Sequence, residues 1–264
     1  YRQMVTWWTE ACDALVYLHS EGVIHRDLRA ENVFLHKDFE KGRIKLVIGD
    51  FGLSRNVVLR ELPQGDDAGK EGQPPAPGYG QGGYGAYSCH GKPMPIVWTA
   101  PECFETGEAF KRSDVWMLSL LMWETLCYGD RPFRHVMDNK KHKTAAKKIR
   151  VLLNDLEEND VRPEVPAEAA ELFPGLVELL GRMWLYDHED RPSAQDVLAV
   201  LKAPRSLTAG GEGHWPQEWP EETIAEWIRQ IPDLGDAARE EFLRDIDEDS
   251  TMSQLMYDYD PECL

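Results

Sequence analysis

His25-Arg26-Asp27-Leu28-Arg29-Ala30-Glu31-Asn32 is the stretch from which the rest of the chain can be read. Asp27 and Asn32 stand five residues apart, so they can act at one point only if the segment between them folds back as a loop. The flanks favour that. Upstream, Val5, Trp8, Cys12 and Leu15 recur at three- and four-residue steps, which predicts an amphipathic helix over about residues 3–20 with Gly22 as its stop. Downstream, Val33-Phe34-Leu35 and Ile44-Lys45-Leu46-Val47 read as two short strands separated by a polar turn from Asp38 to Gly42.

Two further signatures follow in order. Asp50-Phe51-Gly52 comes directly after the second strand, and Ala100-Pro101-Glu102 follows a loop from Pro63 to Pro95 that is dense in Gly, Pro and Tyr. Any one triplet has a high chance rate. All three in order and in matching context are specific. Beyond them, Ser113 is expected to cap a helix whose Val115, Trp116, Leu118, Leu120, Leu121, Met122 and Trp123 are apolar nearly all round, which places it in the middle of a core. Leu176, Leu179, Leu180, Met183 and Trp184 form another apolar face, and Ser193-x-x-Asp196 opens a last core helix through Val197, Leu198 and Leu201.

Composition excludes several classes. With a formal charge of −18, general nucleic-acid binding is not expected, because neutralising phosphates requires a basic surface. The charge is uneven: the 60 residues from Arg205 onward hold four basic and sixteen acidic side chains. The five cysteines (12, 89, 103, 127, 263) show no paired spacing, which favours a reduced, cytoplasmic setting. The richest apolar run, Val115 to Leu126, is broken by Ser119 and Glu124 and is too short to span a bilayer. A basic run, Lys140 to Arg150, reads as a solvated helix face.

The three signatures make the chain resemble the eukaryotic protein kinases over roughly residues 1–203. The resemblance implies a mainly α fold: a kinase C-terminal lobe with a small β-hairpin and a long activation loop. It implies ATP and Mg²⁺ as cofactors. Phosphoryl transfer requires an aimed hydroxyl and neutralised phosphate charge; by resemblance Asp27 accepts the hydroxyl proton, Asn32 and Asp50 hold Mg²⁺, and Arg29 assists catalysis. His25 and Phe51, next to Gly52, resemble the pair that couples the two catalytic loops, which the residues alone would read as core packing. Asp114 resembles the anchor of the catalytic loop, and Glu102 with Arg191 the family's buried ion pair. No Gly-rich strand pair, strand Lys or helix Glu precedes His25, so the ATP-gripping small lobe is expected to be missing from this stretch and the stretch alone inactive. Gly80-Gln81-Gly82-Gly83-Tyr84-Gly85 matches the lid pattern but lies after Asp-Phe-Gly, and reads as insert.

Within the family the chain resembles the tyrosine-kinase branch, of Src and Eph type. Arg29 stands where Ser/Thr kinases carry Lys, Pro95-Ile96-Val97-Trp98 looks like the tyrosine substrate shelf, and Tyr87 has the spacing of an activation-loop phosphosite that would pair with Arg26. The implied function is transfer of phosphate to tyrosine in a protein substrate, in the cytoplasm or in the cytosolic part of a membrane receptor. Glu31 is more at home in Ser/Thr kinases, so a Ser/Thr or dual-specificity enzyme of the tyrosine-kinase-like group is the alternative; a pseudokinase or scaffold is another. Residues 204–216 read as linker. Residues 217–264 read as an acidic helical tail, similar from Trp219 through Trp227 to the opening of a SAM domain, which implies SAM-type protein partners.

Overall fold

The computed structural model describes residues 2–38, 43–56, 87–88, 94–203 and 207. The expectations for the acidic tail, the Gly-rich run and the turn after Asp38 fall outside these residues, as does the expected linker except for Leu207, which is buried and whose carbonyl accepts from the Gly175 N–H at 3.2 Å. In chain order the elements are α1 (Arg2–Ser20), β1 (Val23–Ile24), a 3₁₀ turn (Ala30–Asn32), β2 (Val33–Asp38), β3 (Arg43–Ile48), β4 (Arg55–Asn56), β5 (Tyr87–Ser88), α2 (Pro101–Glu105), β6 (Glu108–Ala109), α3 (Lys111–Leu126), α4 (Arg134–Met137), α5 (Ala145–Glu157), α6 (Ala167–Leu172), α7 (Pro174–Met183) and α8 (Ala194–Leu201).

The core is built around α3. Every side chain from Ser113 to Leu126 is buried, so a helix apolar nearly all round has neighbours on every side. Removing each Leu- or Met-sized side chain from water contributes about 1.5–3 kcal/mol, so tertiary packing rather than helix propensity holds α3 in place. Its start differs from the expected one. Ser113 is the third helical residue, not the cap: Phe110 precedes the helix in extended geometry, and its N–H donates to Ser113 Oγ at 2.9 Å.

α1 straps across this core. Met4, Val5, Trp7, Trp8, Ala11, Cys12 and Leu15 are buried while Thr6, Asp13 and Tyr17 face out. Trp8 Nε1 donates to Thr125 Oγ1 of α3 at 2.7 Å, and Cys12 Sγ donates to the Ala194 carbonyl at the start of α8 at 3.2 Å. Burial pushes the Cys12 thiol up to about 12, with Asp13 adding to the shift. Glu10 Oε2 accepts from the Leu46 N–H at 2.7 Å, so α1 also covers the open edge of β3. Gly22 ends the helix at φ 73°, where a side chain would be strained. At the far end, Ser193 and Asp196 form the expected capping box of α8.

β2 and β3 pair antiparallel from Val33↔Ile48 to Asp38↔Arg43. Two further antiparallel pairs, each two residues long, were not expected: β1 with β4 (Ile24↔Arg55) and β5 with β6 (Tyr87↔Ala109). Among the described residues, no helix is long and apolar enough to cross a membrane.

Candidate active site

β1 delivers the chain into the loop that opens at His25. Arg26 there has φ 72°, a conformation that costs a non-glycine residue about 1–3 kcal/mol. Asp114, in the first turn of α3, holds it. Asp114 Oδ2 accepts from the His25 N–H and Oδ1 from the Arg26 N–H, both at 2.8 Å. His19 Nε2, at the end of α1, lies 2.9 Å from Oδ2. A hydrogen bond to a charged acceptor contributes about 1.5–3 kcal/mol, so two suffice to offset the strain. Asp114 is fully buried, and its place in the first turn also sets its charge against the positive end of the helix dipole.

The loop closes on itself. Asn32 Nδ2 donates to the Asp27 carbonyl at 2.7 Å, and the 3₁₀ turn between brings Arg29 back over Asp27. Arg29 Nε stands 3.1 Å from Asp27 Oδ1. Neither atom has a well-aligned hydrogen bond among the described residues, so this is a contact of charges rather than a directed bond. The same guanidinium pairs with Glu31 and sits 5.7 Å from the Trp98 ring centroid. Arg29 therefore joins a carboxylate to an aromatic face, as its planar cation suits it to do.

Asp50 is brought to this loop by its neighbour Gly49. The Gly49 N–H donates to the Asn32 carbonyl at 2.8 Å, and the Gly49 carbonyl meets His25 Nε2 at 3.0 Å. Both ends of the loop thus grip the residue before Asp50. A Cβ at position 49 would lie 2.5 Å from Phe34 Cε2, which explains the glycine. Asp50 itself has φ 51°, and its Oδ1 accepts from the Gly52 N–H at 3.0 Å, a local bond that makes Asp tolerant of this conformation. Phe51 stands edge-on to His25 with centroids 5.2 Å apart. It is 50% exposed, so the core-packing reading does not hold for Phe51, whereas His25 is fully buried. Ser54 Oγ donates to the His25 carbonyl at 3.2 Å, and the β1–β4 pair begins immediately after.

The segment before Ala100-Pro101-Glu102 is a tight turn. The Pro95 carbonyl accepts from the Thr99 N–H at 3.1 Å and from Thr99 Oγ1 at 2.8 Å, with Val97 and Thr99 buried beneath it. Trp98 is left partly exposed beside Arg29. Its Nε1 donates to Glu124 Oε2 of α3 at 3.3 Å, and the same oxygen accepts from the Ala30 N–H at 3.2 Å. One turn on, Glu102 meets Arg191 through two parallel bonds of 2.8 Å, and Ser113 Oγ donates to Glu102 Oε1 at 2.6 Å. This pair is buried and forms its own cluster near the start of α3, apart from the Asp27 loop. For Tyr87, the described backbone pairs with Ala109.

His19, Gly49 and Glu124 were missed as site residues. Glu124 registered in the sequence only as a charge breaking an apolar run; an isolated acid in a helix buried on all sides was the available signal. Groups of three or more His, Cys, Asp or Glu that could hold a metal are absent among the described residues.

Comparison with known proteins agrees with this geometry. The protein kinase domain model matches residues 1–200. Ephrin type-A receptor 8 of Rattus norvegicus is 31% identical over 197 residues, covering 73% of this chain and 42% of that protein. The tyrosine-protein kinase transforming protein Fps of avian sarcoma virus (strain PRCII) is 30% identical over 210 residues, covering 77% of this chain and 31% of that protein. The chain thus spans less than half the length of these relatives. With the model matching well over half of its residues and both loops built as described, the chain belongs to the protein kinase family and resembles that family's tyrosine-kinase branch.

Proposed function

We propose that the chain carries part of the catalytic domain of a protein tyrosine kinase, transferring the γ-phosphate of ATP to tyrosine side chains of protein substrates. The observation that carries this reading is the convergence of Asp27, Arg29 and Trp98 at one point. The similarity to Fps, a tyrosine-protein kinase by name, supports it. Residues 1–203 are the helix-rich C-terminal lobe, 204–216 a linker, and 217–264 a separate acidic module with a SAM-like opening. The end of the family match at residue 200, beside the end of α8 at Leu201, supports the first boundary.

In this reading Asp27 accepts the proton of the tyrosine hydroxyl as its oxygen bonds to the γ-phosphorus. The bond to the β-phosphate oxygen breaks, and its electron pair leaves with ADP. Arg29 holds the Asp27 carboxylate in place and presents its remaining N–H groups to the transferring phosphate. The residues fit Mg²⁺. Asn32 uses its amide N–H₂ on the Asp27 carbonyl and Asp50 uses Oδ1 on Gly52, which leaves Asn32 Oδ1 and Asp50 Oδ2 as oxygen ligands. Magnesium takes one or two protein oxygens and completes its shell with phosphates and water; when bound it neutralises the phosphate charge.

Tyrosine specificity follows from reach. A tyrosine hydroxyl lies farther from its backbone than a serine hydroxyl, so the peptide must lie farther from Asp27, with its ring supported on Pro95 to Trp98. A serine on the same backbone path loses the proximity term. Glu31, the residue that favours a Ser/Thr enzyme, is paired with Arg29. The full-length protein, given a mixed Ser/Thr/Tyr peptide library and labelled ATP, is expected to yield phosphotyrosine as the main product after acid hydrolysis. Phosphoserine or phosphothreonine as the main species would move it to the tyrosine-kinase-like group.

Tyr87 is the proposed activating phosphosite, with Arg26 as the phosphate's partner. A phosphate adds about −1.5 to −2 charge at pH 7 and can order a loop on an Arg. Mass spectrometry after autophosphorylation is expected to find Tyr87 modified, and Tyr87→Phe to lose the activation. Loss of activation in Tyr79→Phe, with Tyr87→Phe unaffected, would refute the assignment.

A further inference from the structure

Glu124 is the one carboxylate in the second half of α3, a helix otherwise apolar there apart from Ser119 and Thr125, and it is 1% exposed. An acid in that setting is costly unless its oxygens are bonded, and two of its bonds reach separate parts of the site. Oε2 accepts from the backbone N–H of Ala30, the first residue of the 3₁₀ turn that follows Arg29, and from the indole N–H of Trp98 on the proposed shelf. Arg29 lies over that same indole and against Asp27. The contacts form a closed circuit: Glu124 to Ala30, Ala30 through the chain to Arg29, Arg29 to Trp98, and Trp98 back to Glu124.

We propose that Glu124 is a positioning residue for the protein substrate: it sets the plane of the Trp98 ring and the height of the Arg29 turn together, so that a tyrosine ring supported on the shelf meets Asp27. This rests on the kinase reading above. It concerns the peptide side alone, because neither bond involves Asn32 or Asp50, the residues assigned to metal. The two donors named here are neutral N–H groups, so what they require at that place is an acceptor oxygen.

The test uses the full-length protein with Glu124→Ala, Glu124→Gln and Trp98→Phe, reading kcat and KM separately for a tyrosine peptide and for MgATP. Glu124→Ala takes the acceptor from the buried Ala30 N–H and from the partly buried Trp98 indole and is expected to lower kcat/KM for the peptide about 10- to 100-fold, with KM for MgATP little changed. Glu124→Gln keeps an acceptor oxygen and is expected to recover most of that loss. Trp98→Phe keeps a ring but removes the indole donor, and its effect is expected to be less than additive with Glu124→Ala. A role in folding alone would lower the unfolding temperature without separating the two KM values. An active wild type whose Glu124→Ala variant keeps its peptide KM, or raises both KM values in parallel, overturns the inference by itself. Equal damage in Glu124→Gln and Glu124→Ala does so too. A wild type that transfers phosphate to no peptide overturns the kinase reading and the positioning role with it.

Discussion

Replacing Asp27 by Asn in the full-length protein is expected to lower kcat by about 10²–10⁴-fold, the usual contribution of a positioned general base, while nucleotide affinity stays near wild type. The substitution is nearly isosteric, and the loop around it is held by other atoms. The Asp27 carbonyl, not its side chain, takes the Asn32 bond, and Asp114 holds the His25 and Arg26 amides. What Asn cannot do is accept the hydroxyl proton, and it also gives up the charge that faces Arg29. Asp50→Asn makes the contrasting case. Its side chain is assigned to the metal, so metal-dependent nucleotide use is expected to fall there, with the peptide KM less affected. Steady-state kinetics beside a nucleotide titration separate the two. Near-normal turnover from the Asp27 variant would sink the assignment of Asp27, whatever the family.

How much of this was open to a reader of the sequence depends on how local each feature is. The α1 and α3 helices are written in apolar spacing, and the α8 cap in Ser193-x-x-Asp196, because these patterns are set by residues within a turn or two of each other. The order of the three motifs is equally local. The two-residue pairs β1–β4 and β5–β6 were not legible: Ile24 meets Arg55 and Tyr87 meets Ala109 only once the rest of the chain has folded, and two residues carry no period. The cap was expected at Ser113, three positions after the one at Phe110, because a serine before an apolar run is also what a third-position serine looks like; its hydroxyl bonds back to Phe110 and across to Glu102. Glu124 was passed over for a similar reason. The donors from Ala30 and Trp98 stand at positions 30 and 98, and no spacing in the sequence links three points so far apart.

Arg191→Met is expected to have the largest effect on stability. The five N–H groups of Arg191 are all engaged: Nε donates to the Leu185 carbonyl at 2.7 Å, Nη1 to Glu102 Oε1 and the Arg112 carbonyl, and Nη2 to Glu102 Oε2 and the Tyr186 carbonyl. The guanidinium also lies 5.0 Å from the Trp116 ring centroid in the core. Methionine fills much of the volume, so the variant isolates the polar loss. It leaves Glu102 charged and buried, with Ser113 as its remaining bond to a side chain. Removing one partner of such a pair costs about 3–5 kcal/mol; at about 2–4 °C per kcal/mol for a domain of this size, the unfolding midpoint is expected to drop by about 6–20 °C. The pair touches none of Asp27, Asn32 and Asp50, so kcat measured where the variant is still folded is expected to remain near wild type. Adding Glu102→Gln removes the stranded charge, and the double variant is expected to be more stable than Arg191→Met alone. Thermal unfolding of the three variants decides it. A midpoint unmoved by Arg191→Met, or a double variant less stable than the single one, would show that the ion pair does not hold this part of the fold, and a kcat that collapses while the protein is folded would place Arg191 in catalysis instead.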